Sequence, residues 1–126
     1  MAEPKFYRCE HCGNVLLVVN DGGVVPSCCG EPMVELKAGS TDAATEKHVP
    51  ALEFDGKHVI AKVGEVAHPM LEEHFIQWIA YVSDKKTVFK YLKPGEEPVA
   101  KFCRCDDEHG AIYEYCNLHG LWKAEF

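Results

Sequence analysis

Five metal-seeking side chains are spread along this chain: His48, then His68-Pro-Met-Leu-Glu-Glu-His74, then Cys116-Asn-Leu-His119. Each histidine alone is unremarkable, but together they offer four imidazoles and one thiolate to a single ion, so the fold must bring three distant segments to one point. A structural zinc takes four ligands, so five with this mixture predict an iron site with an open sixth position. Ferrous iron with one thiolate and neutral imidazoles keeps a net positive charge, which attracts a small anion. A second set, Cys9-Glu-His-Cys12 with the adjacent pair Cys28-Cys29, lies at the other end of the chain. Two metal sites of different character predict redox chemistry.

The Cys9-x-x-Cys12-Gly13 knuckle lets two thiolates reach one tetrahedral metal while the loop stays compact. Its partners, Cys28 and Cys29, are neighbours, so both can bind only if the backbone bends sharply between them. Composition suits Zn²⁺ and a single iron equally, and a zinc ribbon that only holds the fold is the competing reading. His11, inside the knuckle, reads as exposed rather than as a ligand. The first 37 or so residues are too few to bury a sufficient core, and a tetrathiolate metal supplies the missing staple. Asn20-Asp-Gly-Gly23 reads as a turn between two short strands.

With 126 residues the chain allows one ordinary domain, or one domain with a small metal-held appendage. Seven cysteines without a signal-like N-terminus argue for metal binding over a disulfide framework, and predict a cytoplasmic protein. A net charge of −7 disfavours nucleic acid as a partner. No apolar run reaches the roughly 18 residues of a membrane span.

From His48 onward the pattern is that of strands. Ala51–Phe54 and Lys57–Val63 flank Asp55-Gly56, a hairpin signal. Ile76–Val82 is apolar on both faces, as a central strand is. Thr87–Leu92, Val99–Cys105, Ala111–Tyr115 and Leu121–Ala124 follow at near-regular spacing, which predicts an antiparallel β-sandwich. Residues 38–47 are small and polar and read as the connection, with Thr41-Asp42 a candidate start of a helical turn. The division is therefore 1–37, a linker 38–47, and 48–126. His58, mid-strand, and His109, in an acidic loop, have no metal-seeking company.

The whole chain resembles the desulfoferrodoxins, the two-iron class of superoxide reductases. The motifs that carry the resemblance are Cys9-x-x-Cys12 with Cys28-Cys29, Glu46-Lys-His-Val-Pro50, His68-Pro-Met with His74, and Cys116-Asn-Leu-His119-Gly. It implies an all-β chain: a small desulforedoxin- or rubredoxin-like N-terminal domain whose four cysteines bind one iron, then an immunoglobulin-like sandwich whose loops bind another. It further implies equatorial His48, His68, His74 and His119 with axial Cys116. The implied activity is one-electron reduction of superoxide to hydrogen peroxide, with electrons from a rubredoxin-type donor, in a homodimer.

Lys47 adjoins His48, so its ammonium is placed to attract superoxide. The resemblance gives Glu46 the sixth position once iron is ferric; solvent exposure is the plain alternative for both residues. Cys103-Arg-Cys105 is not part of the family pattern and reads first as two spare thiols, with an intersubunit link or a regulatory role as the alternatives.

Overall fold

The computed structural model describes residues 3–41, 43, 45–64, 66 and 68–126. The chain divides into two compact units, one ending at Lys37 and the other running from Ala38 to Phe126.

In the N-terminal unit, β1 (Phe6–Arg8) is the middle strand of an antiparallel sheet, between β2 (Val15–Leu17) and β5 (Val34–Leu36). Strands β3 (Ser27–Cys28) and β4 (Glu31–Pro32) form a separate hairpin. The bend at Asn20–Gly23 is present, with Asp21 Oδ1 accepting from the Gly23 N–H at 2.8 Å. It separates β2 from β3 without pairing them: β2 lies against β1, with Leu17 opposite Phe6. Among the described residues only Phe6, Tyr7, Cys9 and Met33 are buried core side chains here, a core too small to carry a fold by itself.

In the larger unit a single helical turn, α1 (Thr45–His48), precedes the strands. Asp42, half of the candidate helix start, lies outside the described residues. Seven strands follow: β6 (Pro50–Asp55), β7 (His58–Val63), β8 (Ile76–Val82), β9 (Thr87–Tyr91), β10 (Val99–Cys103), β11 (Ala111–Cys116) and β12 (Gly120–Glu125). They form two antiparallel sheets, ordered β10-β7-β6 and β12-β11-β8-β9. Val59, Ala61, Val63, Ala100 and Phe102 from the first sheet pack against Ile79, Tyr81 and Ile112 from the second. This is the all-β sandwich that the strand spacing predicts.

The two-sided apolar character of β8 follows from its central place. Ile79 and Tyr81 face the core, while Trp78, one pleat away, stacks on Tyr115 with ring centroids 5.6 Å apart and meets Phe89 edge-on. Gly56, at φ 58°, opens the two-residue turn between Asp55 and His58, a conformation that glycine adopts freely. Strand β10 stops at Cys103, two residues before the sequence pattern suggests, because Cys105 turns into the left-handed region at φ 53°. Cys103 and Cys105 are not spare thiols: they form a disulfide, with Cα atoms 5.3 Å apart, closer than an extended i, i+2 pair. Among the described residues no helix is long and apolar enough to cross a membrane.

Candidate metal centres

Cys9, Cys12, Cys28 and Cys29 place their sulfurs within 4.8 Å of one another. Two tight turns achieve this. After Cys9, the Gly13 N–H donates to the Cys9 carbonyl at 2.9 Å, and the Cys12 N–H points at Cys9 Sγ at 3.5 Å. The second turn is the loop between β3 and β4, in which Cys28 pairs with Glu31 and both intervening residues, Cys29 (φ 53°) and Gly30 (φ 77°), are left-handed. Two successive positive φ values make a tight hairpin loop, and this is the sharp bend that lets adjacent cysteines converge. Cys12 Sγ lies 3.6 Å from Cys28 Sγ, which lies 3.9 Å from Cys29 Sγ.

The thiols are electrostatically frustrated as a set. The Cys12 N–H pulls the Cys9 thiol down to about 6, with the other thiols and the His11 N–H adding to it against a desolvation cost. Hydrogen bonding with Cys9, Cys12 and Cys28 pushes Cys29 up to about 12. Four adjacent thiolates repel one another, and a thiophilic cation relieves that repulsion, so the residues fit a tetrathiolate metal. His11 is exposed and lies 3.0 Å from Glu31, outside the sulfur group.

The second group collects His48 from the end of α1, His68 and His74 from the loop before β8, and Cys116 and His119 from the β11–β12 hairpin. All five ligand atoms lie within 4.8 Å of one another. Three local devices aim them. A β-bridge between Leu71 and His74 closes the loop that carries His74. An irregularity in the β8–β11 register falls between Tyr115 and Cys116, where bulges re-aim side chains near functional sites. Asn117, Leu118 and His119 form the loop between Cys116 and its partner Gly120, whose φ of 78° ends the turn.

The four imidazoles stand in a closed square. Centroids of His48–His68, His68–His74, His74–His119 and His119–His48 are 4.7, 4.8, 5.0 and 4.8 Å apart, and each neighbouring pair is close to perpendicular. His68 Nδ1 lies 2.7 Å from the Pro69 carbonyl, which fixes the proton there and leaves Nε2 as a lone-pair donor. His48 Nε2 lies 3.1 Å from both His68 Nε2 and His119 Nδ1. One ring nitrogen has one proton or one lone pair, so hydrogen bonding satisfies at most one of these contacts. Among the described residues His74 Nε2 is buried with no hydrogen-bond partner. Convergent nitrogens with an orphan among them are what a cation at the centre resolves.

Charge and burial agree. Burial, with the neighbouring imidazoles, pushes His68 down to about 4. Burial and His119 also lower His74, so these rings are held neutral, the form that binds metal. Burial raises the Cys116 thiol. A fully buried thiolate needs a cation beside it, and five converging donors supply its seat.

Cys116 is fully buried, with its Sγ 3.8 Å from His119 Nδ1. A cavity of about 160 Å³ is lined by the four histidines with Ala43, Lys47 and Pro69.

The family model described as desulfoferrodoxin matches residues 40–125, and that of the desulfoferrodoxin N-terminal domain matches residues 2–36. The chain belongs to the desulfoferrodoxin family. It is 50% identical over 121 residues to a desulfoferrodoxin of Nitratidesulfovibrio vulgaris, covering 96% of this chain and 95% of that protein. It is 33% identical over 104 residues to a superoxide reductase of Thermococcus kodakarensis, covering 68% and 90% of the two chains. The crystal structure of the superoxide reductase from Treponema pallidum superposes with a TM-score of 0.78 at 34% identity, covering 98% and 99%. The Cys₄ and His₄Cys groups are the counterparts of the two iron sites of the desulfoferrodoxins.

Of the two further residues that the sequence singled out, Lys47 lines the histidine cavity, whereas Glu46 lines a neighbouring depression with Thr45, Val49, Pro50 and Ala51. Sequence reasoning missed the residues that hold the ligands in place. Trp122 stacks on His48 at 5.0 Å and donates from Nε1 to the His119 carbonyl at 3.0 Å. Thr41 donates to the same carbonyl. Asn117 ties the two ligand loops: its Oδ1 accepts from the Phe75 N–H at 2.9 Å and its Nδ2 donates to the Glu73 carbonyl at 3.0 Å. Asn117, between the ligands of Cys116-x-x-His119, was the one within reach of sequence reasoning. Glu114, fully buried two residues before Cys116, has both carboxyl oxygens without a hydrogen-bond partner among the described residues, and burial raises it well above the usual carboxylate range.

Proposed function

We propose that the chain is a superoxide reductase, taking superoxide, one electron and two protons to hydrogen peroxide. The observation that carries this reading is one cluster of donors beside one cavity: four imidazoles and a buried cysteine sulfur converge on one position, and a small cavity lined by the same histidines also has a lysine in its wall. In this reading His48, His68, His74, His119 and Cys116 hold the catalytic iron. Bound iron supplies the electron that reduces superoxide. Cys116 would contribute negative charge to the bound metal, and the neutral imidazoles would leave the centre cationic, which favours an anionic substrate. Lys47 holds an ammonium at the mouth of the cavity, where it draws the anion in and donates hydrogen bonds to it. Glu46, beside Lys47 on α1, lines a neighbouring depression and would take the sixth position once the iron is oxidised.

Cys9, Cys12, Cys28 and Cys29 hold the second iron, fully ligated and therefore an electron carrier. A rubredoxin-type donor supplies the electrons. We assign residues 1–37 to a desulforedoxin-like domain, 38–47 to the connection and 48–126 to the catalytic domain. Val19 (86% exposed) and Val24 (81% exposed) in the small unit offer apolar surface for a homodimer. Unpaired metal-binding thiols favour a reducing compartment, the cytoplasm.

The test is metal analysis and visible absorption before and after mild oxidation, followed by superoxide kinetics with and without an external electron donor. Two irons per chain, a tetrathiolate band, a separate oxidation-dependent thiolate band and one peroxide for each superoxide consumed support the reading. One peroxide for every two superoxides, with no need of a donor, replaces it with dismutation. A protein that holds only zinc and refuses Fe²⁺ under anaerobic reconstitution removes it.

A further inference from the structure

The disulfide between Cys103 and Cys105 has no part in either metal centre. Its loop spans three residues, and the chain-entropy gain from a crosslink is smallest for the shortest loops, so it contributes little as a structural staple. Both cysteines are exposed. Cys103 pairs across the sheet with His58 at the start of β7, and Val63, at the metal-side end of that strand, is about 17 Å further along. The pair is therefore reached from solvent, not from the iron.

The surroundings suit a thiol that reacts. His58 stands opposite Cys103, and Lys101 shares its outward face two residues back. Lys86 Nζ donates to the Cys103 carbonyl at 2.7 Å, and the following carboxylate, Asp106, is 3.4 Å from Lys85 Nζ. Nearby cationic groups favour the thiolate, the reactive form. The turn is also held without the sulfurs. The N–H groups of Arg104 and Cys105 both donate to the Lys57 carbonyl, at 2.6 and 3.1 Å, and Arg104 Nε donates to the Asp107 carbonyl at 2.8 Å. Reduced, the two thiols stay side by side.

We propose that Cys103 and Cys105 form a reversible dithiol–disulfide site whose oxidant is hydrogen peroxide. One thiolate attacks the peroxide O–O bond, takes the hydroxyl as a sulfenic acid, and hydroxide leaves and is protonated to water. The second thiol then displaces that hydroxyl as another water, and the S–S bond forms. Two thiols lose two electrons and one peroxide gains them. An external dithiol reverses the step by thiol–disulfide exchange. The source of peroxide in the cell rests on the superoxide reductase reading; the thiol chemistry does not.

The experiment uses the full iron-loaded chain, reduced anaerobically with dithiothreitol, desalted and given one equivalent of hydrogen peroxide. Alkylation under denaturing conditions and peptide mass analysis then follow Cys103 and Cys105. The expected result is loss of both alkyl adducts within one chain, a disulfide regained, and its reversal by fresh dithiothreitol. In Cys105→Ser, Cys103 is expected to stop at a sulfenic acid that dimedone traps. Both thiols remaining alkylatable, or a disulfide formed only between chains, overturns the proposal. Superoxide turnover measured on the same samples reads the other centre separately: Cys103→Ser leaves it unchanged, and a chain without any turnover still answers the thiol question.

Discussion

His48 sits where the catalytic group is most crowded: its Nε2 is 3.1 Å from two other ring nitrogens, and Trp122 stacks on its face. Trp122 also holds the His119 carbonyl, so one indole fixes two ligands. Trp122→Phe keeps the stack and loses the hydrogen bond; we expect iron affinity at the His₄Cys site to fall roughly 10- to 100-fold, as for other outer-shell groups, read by chelator competition. Lys47→Ile removes the cation at the cavity mouth and leaves every ligand in place. Superoxide association should slow by about 10-fold or more in pulse radiolysis with iron content unchanged, and an unchanged rate sinks the role given to Lys47. Away from iron, the Tyr81 hydroxyl donates to buried Asp107 at 2.5 Å. That bond lowers the Asp107 carboxyl, while burial and then Asp107 raise the Tyr81 phenol. A lowered acid contributes stability above its unfolded value, about 4, and loses it as pH falls through the folded value. A raised phenol contributes below about 10 and loses it as pH rises. Tyr81→Phe should therefore cost stability between those limits and little outside them, as denaturant titrations across pH will read.

At the scale of elements, the strands were legible because β-patterning is local: alternation, the Asp55-Gly56 turn and the two-sided run at β8 each depend on a few neighbouring residues. The end of β10 was not, since nothing in Cys103-Arg-Cys105 announces a left-handed residue. The one-turn α1 is held from outside itself. Glu46 O accepts from the Val66 N–H at 3.0 Å, and a Cβ at Gly64, already at φ 80°, would lie 2.6 Å from the Lys47 and Val66 carbonyl oxygens. Gly64→Ala should push the end of α1 away, destabilising the larger unit by about 1–3 kcal/mol and loosening the iron held by His48. Thermal melts and iron retention together check this; wild-type values in both remove the claim.

Over the whole molecule, the two units draw their stability from different sources. The sandwich has a continuous apolar core, whereas the small unit, among the described residues, buries only Phe6, Tyr7, Met33 and the ligand Cys9. Anaerobic chelation of the Cys₄ metal should unfold residues up to Lys37 and leave the strands from β6 onward protected, as hydrogen exchange will resolve. Protection retained throughout means that the metal is no staple. The sequence by itself determined the two sets of candidate ligands and the strands, and it set the expectation of a metal staple in the first 37 residues, because residue types, periodicity and length are local quantities. Only the tertiary structure decided the closed square of imidazoles, the buried cysteine sulfur beside it, the cavity that Lys47 helps to line and the bond between Cys103 and Cys105. These depend on which loops meet at one end of the sandwich and how each backbone turns there, and those positions are set by long-range packing.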